Sequence, residues 1–288
     1  SKILVPRPLG RNQSWLARGG NSADRPVNRQ ADPRASVAIL GHHRRLFNSM
    51  NPNPKLLVAL LLLAPSLRAA ETLIFQDDFN RSLASAAGDS PGNGWTTNSK
   101  ARAKGHQQVD LRQGAMHIFM HPEADHAVSV VHAAEFTHGR IALRFMLEDA
   151  RDSLGLDFAD PQCKEVHAGH LLAVRVSPKQ VLLQDLKTGQ MRLDIQTARQ
   201  AKQKLSAEQE AALKGKQKPL PQAITVGQWH DLEVTIAGAE VSVSVDGKPV
   251  GSLSSPGIAH PTKRQLRLAV PRNAVVDDLR IWRVDGTP

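Results

Sequence analysis

Residues 240–247 read Glu-Val-Ser-Val-Ser-Val-Asp-Gly, apolar and polar side chains in strict alternation, closed by a turn pair. Successive side chains of a strand point to opposite faces, so this segment has one buried face and one wet face. Asp246-Gly247 is the kind of pair that accepts the positive φ of a tight hairpin. The same two-residue period recurs at 72–79, 108–112, 115–120, 127–132, 140–147, 170–176, 180–186, 191–195, 230–236, 265–270 and 276–284, with Gln113-Gly114 turning the chain between two of these runs. Sequential hairpins without helices between them favour an all-β antiparallel β-sandwich or jelly roll over any βαβ fold.

One segment breaks the pattern. Residues 197–218 are rich in Ala, Gln, Lys and Glu, good helix formers, and predict a helical insertion. Ser206-Ala-Glu-Gln209 has the spacing of a capping box, and Gly215 with Pro219 supplies a stop. The insertion could act as a lid over a site. Its charged residues have no aromatic partners, which favours a solvated surface excursion.

The net charge of +10 suggests nucleic acid until it is located along the chain. Residues 1–70 hold 11 of the 37 Lys and Arg but 2 of the 27 Asp and Glu, which leaves 26 basic against 25 acidic residues downstream. A near-neutral folded part argues against nucleic acid as a partner. Residues 50–69 read as a secretory signal peptide: Met50, a basic Lys55, an apolar 56–64 too short to span a bilayer, and Ala69 at a cleavage site. The expected product is exported, periplasmic or extracellular, with no stable membrane anchor after cleavage. Residues 1–49 show no sustained period and read as disordered or as upstream sequence outside the true protein, a basic arm being the sharper alternative. Residues 70–288 are long enough for a single β domain. The lone Cys163 allows no internal disulfide and reads as a small buried apolar side chain.

Five motifs carry a family resemblance: Phe75-Gln-Asp-Asp-Phe79, Gly94-Trp95, Gly227-Gln-Trp-His-Asp-Leu-Glu-Val234, Val243-Ser-Val-Asp-Gly247 and Val276-Asp-Asp-Leu-Arg-Ile281. Together they resemble the concanavalin A-like lectin/glucanase jelly roll over most of 72–284, and in their order are most similar to 3-keto-disaccharide hydrolase domains. The resemblance implies an exported protein with a curved sheet whose concave side meets carbohydrate. Glucanases of that superfamily carry Glu-x-Asp-x-x-Glu on a strand, which sets two carboxylates on one face for retaining hydrolysis. That motif is absent, and the acidic runs 147–152 and 157–160 read as having neither its spacing nor its strand context.

The densest polar cluster is 157–170, expected to be a loop entering a strand, with Asp160, Glu165, His167 and His170 as candidate catalytic residues. An imidazole is a general acid or base near neutral pH, and a carboxylate beside it fixes its tautomer. His167 or His170 would be the base, Asp160 or Glu165 its orienter, and Arg102 or Lys263 the electrophilic stabiliser. The two histidines, three apart, could share zinc on a helical turn but would face opposite sides of a strand. Trp95, Asn98, Arg102 and His106 offer an aromatic platform with polar groups for sugar hydroxyls, Trp95 reading equally as core. Lys263 and Arg264, before a strand, could bind a keto or carboxylate oxygen. Trp229 and Trp282 sit in strand patterns and read as core. Asp277, with Asp278, is a candidate ligand for a structural calcium. Two functions follow: an exported hydrolase or lyase acting on 3-keto glycosides, or a non-catalytic glycan-binding or adhesion module. A 3-keto group would acidify the neighbouring C2 hydrogen, and so remove the need for a carboxylate pair.

Overall fold

The described residues hold fifteen strands: β1 (Ala70–Asp77), β2 (Thr96–Thr97), β3 (Val109–Arg112), β4 (Ala115–Phe119), β5 (Val128–Phe136), β6 (His138–Met146), β7 (Leu154–Ala159), β8 (His170–Ser177), β9 (Gln180–Asp185), β10 (Gln217–Pro221), β11 (His230–Ala237), β12 (Glu240–Val245), β13 (Lys248–Ser254), β14 (Lys263–Val270) and β15 (Asn273–Asp285). The computed structural model describes residues 70–81 and 90–286, within a compact unit Ala64–Pro288. The leader expected at 50–69 and the segment 1–49 lie outside the described residues.

The strands make two antiparallel sheets. The first runs β13-β12-β11-β6-β15-β4-β3, with β1 also paired to β15; the second runs β10-β9-β8-β7-β14-β5-β2. Ile141, Leu143 and Phe145 of the first sheet and Leu156, Phe158, Leu266 and Leu268 of the second belong to one continuous buried cluster. This is a sandwich with its core between the sheets. The valines of 240–247 behave as their alternation predicts: Val241, Val243 and Val245 are buried, and Asp246-Gly247 turns with φ of 51° and 72°. Gln113-Gly114 turns likewise, at 55° and 71°.

Three expectations fail locally. The run 191–195 is not a strand, because Ile195 and Ala198 are buried three apart on helix α2 (Leu193–Gln200) once Ser99–Arg102 is taken as α1. The expected helix over 197–218 is two helices and a strand: α2, then α3 (Ala207–Ala212), where Ser206 and Gln209 do form the capping box, then β10. Pro219 and Pro221 fit there because β10 is an edge strand, where a missing N–H costs no ladder bond on the open side. The expected loop at 157 is a strand, β7, buried at all six positions and hence without alternation.

Of the two readings open for Trp95 the core one holds, whereas Trp229, expected in the core, is exposed. Trp95 is 2 % exposed and donates from Nε1 to the buried Asp77 at 2.9 Å, with Arg81 bonded to the same carboxylate. Trp229 is 37 % exposed under the Arg144 guanidinium at 4.8 Å. Trp282 is half-buried, 3.6 Å from Arg140, because its neighbour Ile281 takes the core face of β15.

Candidate functional site

Strand β7 lies at the centre of the second sheet, between β8 and β14. Leu156 and Phe158 enter the core, so Gly155, Asp157 and Ala159 point to the other face. Across the ladder, Asp157 pairs with Arg267 of β14 and Ala173 of β8, and Gly155 with Ala269 and Arg175. Register slips once. Phe158 pairs with Leu172 but Ala159 pairs with His170, so the bulge re-aims His170 onto the face that holds Asp157.

His170 Nδ1 lies 2.7 Å from Asp157 Oδ2. An ionised carboxylate only accepts, so Nδ1 carries the proton and Nε2 presents a lone pair, assigned from its partners. Arg267 Nη1 is 3.4 Å from that Nε2, and its Nη2 donates to the Ala168 carbonyl and Gln265 Oε1. With Nε also directed at Gln265, four of the five guanidinium N–H groups are engaged and one on Nη1 remains. Burial pushes the Arg267 guanidinium below its usual range, partly offset by the Asp157 charge. Asp157 is 3 % exposed, and its Oδ1 has no hydrogen-bond partner among the described residues.

The backbone before His170 is strained to deliver it. Ala168 and Gly169 are both left-handed, with φ of 50° and 73°. The Gly169 carbonyl accepts from Asp160 N at 2.9 Å, and a Cβ on Gly169 would meet the Asp160 carbonyl oxygen at 2.3 Å. Around the dyad the floor is small, made of Gly155, Ala159, Ala173 and Ala269. Arg175 rims it and is held by Gln184 at 3.1 Å. The arrangement offers a positioned base, a carboxylate orienter and a cationic donor on one face.

Of the residues expected at the site, His170 is there. His167 and Glu165 are exposed; the two histidine rings lie 6.5 Å apart, and Glu165 is 3.5 Å from Lys187. Asp160 is buried next to His260 and Arg264, at 3.1 and 3.2 Å. Burial opposes its ionisation, yet the Gln162 amide, His260 and Arg264 together hold its carboxyl below the usual range. The carboxylate in contact with His170 is therefore Asp157, not Asp160 or Glu165. Lys263 is 1 % exposed and donates to the Thr137 and His260 carbonyls, so it cannot stabilise an oxyanion. The cation beside His170 is Arg267. Trp95 has no open face for a sugar ring. Asn98 bonds the backbone of Ala127 and Ser129, Arg102 pairs with Asp125 at 3.5 Å, and His106 stacks on His121. Asp277 faces Arg144 at 3.4 Å, so a calcium ion there would compete with a guanidinium.

Sequence reasoning passed over Arg267 and Gln265 and placed Asp157 in a loop. A usable signal existed in Gln265-Leu-Arg-Leu, whose polar positions mark the open face of β14. The strand context denied to 157–160 is present, and Gly155-Leu-Asp157-Phe-Ala-Asp160 keeps the spacing Glu-x-Asp-x-x-Glu with glycine in place of the first carboxylate.

The laminarinase from Rhodothermus marinus superposes with a TM-score of 0.50 at 14 % identity, covering 76 % of this chain and 99 % of that one. The fold is the concanavalin A-like jelly roll. Other jelly-roll neighbours include the GlcNAcα1-4Gal-releasing endo-β-galactosidase from Clostridium perfringens (TM-score 0.49, 9 % identity, 76 % of this chain and 64 % of that one). The carbohydrate-binding module CBM66 from Bacillus subtilis also matches (TM-score 0.42, 11 % identity, 65 % and 93 %). The laminin G domain family matches residues 165–270, a stretch from β8 to β14 that holds His170 and Arg267 but not Asp157. No curated protein matches the chain by sequence. Among the described residues no helix is long and apolar enough to cross a membrane.

Proposed function

We propose that this protein is an exported carbohydrate-active enzyme that cleaves 3-keto glycosides by elimination, in the manner of the 3-keto-disaccharide hydrolases its motifs resemble. The observation that carries the reading is the Asp157–His170–Arg267 constellation on the open face of β7, beside a glycine where a glucanase would need a carboxylate. Export rests on the leader-like residues 50–69, and the carbohydrate class on the resemblance.

His170 Nε2, once the Arg267 Nη1–H swings from it, would take the C2 proton, acidified by the adjacent C3 ketone, while Asp157 stabilises the imidazolium that forms. The electron pair passes to the ketone oxygen, where the free N–H of Arg267 meets the negative charge. Collapse of the enolate forms the C1=C2 bond and breaks C1–O, and the aglycone oxygen leaves with the proton returned by His170. Water added across the new double bond completes hydrolysis.

The test is product release from a panel of glycosides and their 3-keto derivatives. Turnover confined to the keto substrates and lost in His170→Ala is the expected result. Turnover of unoxidised glycosides, or full activity in His170→Ala, overturns the mechanism. A non-catalytic glycan-binding module is the second reading, favoured by the same Gly155; saturable glycan binding without any turnover would establish it.

A further inference from the structure

Away from the β7 face, the loop after α1 and the turn after β4 bring two imidazoles and a carboxylate together. Lys104 and Gly105, both left-handed at φ of 54° and 83°, turn the chain so that His106 lies over His121. The rings stack with centroids 4.0 Å apart and planes 14° apart. Glu123 Oε1 is 3.6 Å from His106 Nε2, and its other oxygen is held by Lys104 Nζ at 2.8 Å. Taking one ligand atom from each of the three residues, all lie within 4.8 Å of one another, a convergence found nowhere else among the described His, Cys, Asp and Glu side chains.

We propose that His106, His121 and Glu123 bind a late first-row divalent cation, with zinc as its representative. Zinc takes nitrogen and carboxylate donors at about 2.0–2.2 Å, so tetrahedral donors sit roughly 3.4 Å apart. Closing from the present spacing needs a shift of about 1 Å together with rotation of one ring out of the stack so that the two in-plane lone pairs converge; His106 and Glu123 are exposed and His121 is half-buried. Lys104 leaves Oε1 free while fixing Oε2, the way an outer hydrogen bond orients a ligating carboxylate. The contact to give way is the Glu123 amide on His121 Nδ1, at 3.2 Å. Two imidazoles among three donors select zinc, nickel or copper over calcium and magnesium, which prefer oxygen. Three protein ligands leave a fourth position open to water or an exogenous ligand. The ion would add a link between two loops already joined by the Asp125 amide on the Arg102 carbonyl, the His121 amide on Gln108 Oε1 and the exposed pairs Arg102–Asp125 and Lys104–Glu123.

Calorimetric titration of zinc into the metal-free full chain is the test, with cobalt absorption reporting the ligand set. One saturable zinc site is expected, weakened by about 10–100-fold or more in His106→Ala and in His121→Ala. It should persist in His42→Ala/His43→Ala and show no comparable heat with calcium. Zinc affinity unchanged in His106→Ala/His121→Ala, calcium binding as tight as zinc, or no saturable site would each overturn the proposal. Circular dichroism of the variants separates lost ligands from lost folding.

Discussion

Gly169→Ala is the substitution that most directly probes how His170 is delivered. The residue adopts φ of 73°, and an alanine there pays a left-handed penalty of about 1–2 kcal/mol. Its Cβ would also lie 2.3 Å from the Asp160 carbonyl oxygen and 2.6 Å from its carbon, both backbone atoms that a rotamer change cannot move. Clearing that overlap displaces the 160–161 or 168–170 backbone, an overpacking cost of about 1–3 kcal/mol. The sum, about 2–5 kcal/mol, lowers Tm by roughly 5–15 °C for a domain of this size. Gly215→Ala is the matched control: φ is 69° and nothing lies within 4 Å of the added methyl, so only the left-handed penalty applies. Urea unfolding of the two variants should therefore differ by about 1–3 kcal/mol at equal m. Equal midpoints would refute the claim that contact with 160–161 sets the position of His170.

Three further outcomes follow from how individual side chains are buried or paired. Burial holds the Lys263 ammonium down to about 8 from its ordinary 10.5. Between those values the unfolded chain keeps a proton that the folded one has lost, so stability rises with pH across the window, by on the order of 3 kcal/mol. Lys263→Met should abolish that slope in urea titrations from pH 7.5 to 10.5, and the absence of tyrosine removes the commonest competing titration. Trp95→Ala should cost about 3–5 kcal/mol and Trp229→Ala less than about 1 kcal/mol in the same assay, although the strand pattern places Trp229 in the core. Calcium added to the metal-free protein should leave Tm unchanged, because Arg144 already faces Asp277; a rise in Tm that is lost in Asp277→Ala would restore a structural calcium there.

The jelly roll was legible wherever one face of a strand is wet. Val241, Val243 and Val245 alternate with serines, and both two-residue turns are where their Gly pairs put them. β7 was hidden by its central place in the sheet, which buries every residue and erases the period on which the reading depends. The same cause concealed Asp157, a carboxylate in a strand that looks like part of a polar loop. His170 was readable from composition, but its partner was not. The bulge that skips Leu171 changes which face His170 occupies, and no local pattern records it. Met191-Arg-Leu-Asp-Ile195 satisfies a two-residue period as well as a helical one, and the buried pair Ile195 and Ala198 decided it.

Asp157→Asn separates catalysis from mere binding at this face. The amide keeps the volume and can still accept from His170 Nδ1–H, so the 2.7 Å contact and the fold should survive. What is lost is the negative charge that stabilises an imidazolium, and with it the bias toward a lone pair on Nε2. An elimination that passes through protonated His170 should then lose kcat by about 10²–10⁴-fold with little change in KM. Arg267→Lys would act differently, because three ammonium N–H groups cannot replace the four contacts the guanidinium makes to Gln265, Ala168 and His170 and still leave a donor over, so both parameters should worsen. A protein that only binds sugar has no imidazolium to stabilise, and Asp157→Asn would leave glycan affinity within a few fold of the parent. Turnover of a 3-keto glycoside that survives Asp157→Asn intact would remove His170 as its base, whatever the histidine contributes to the fold.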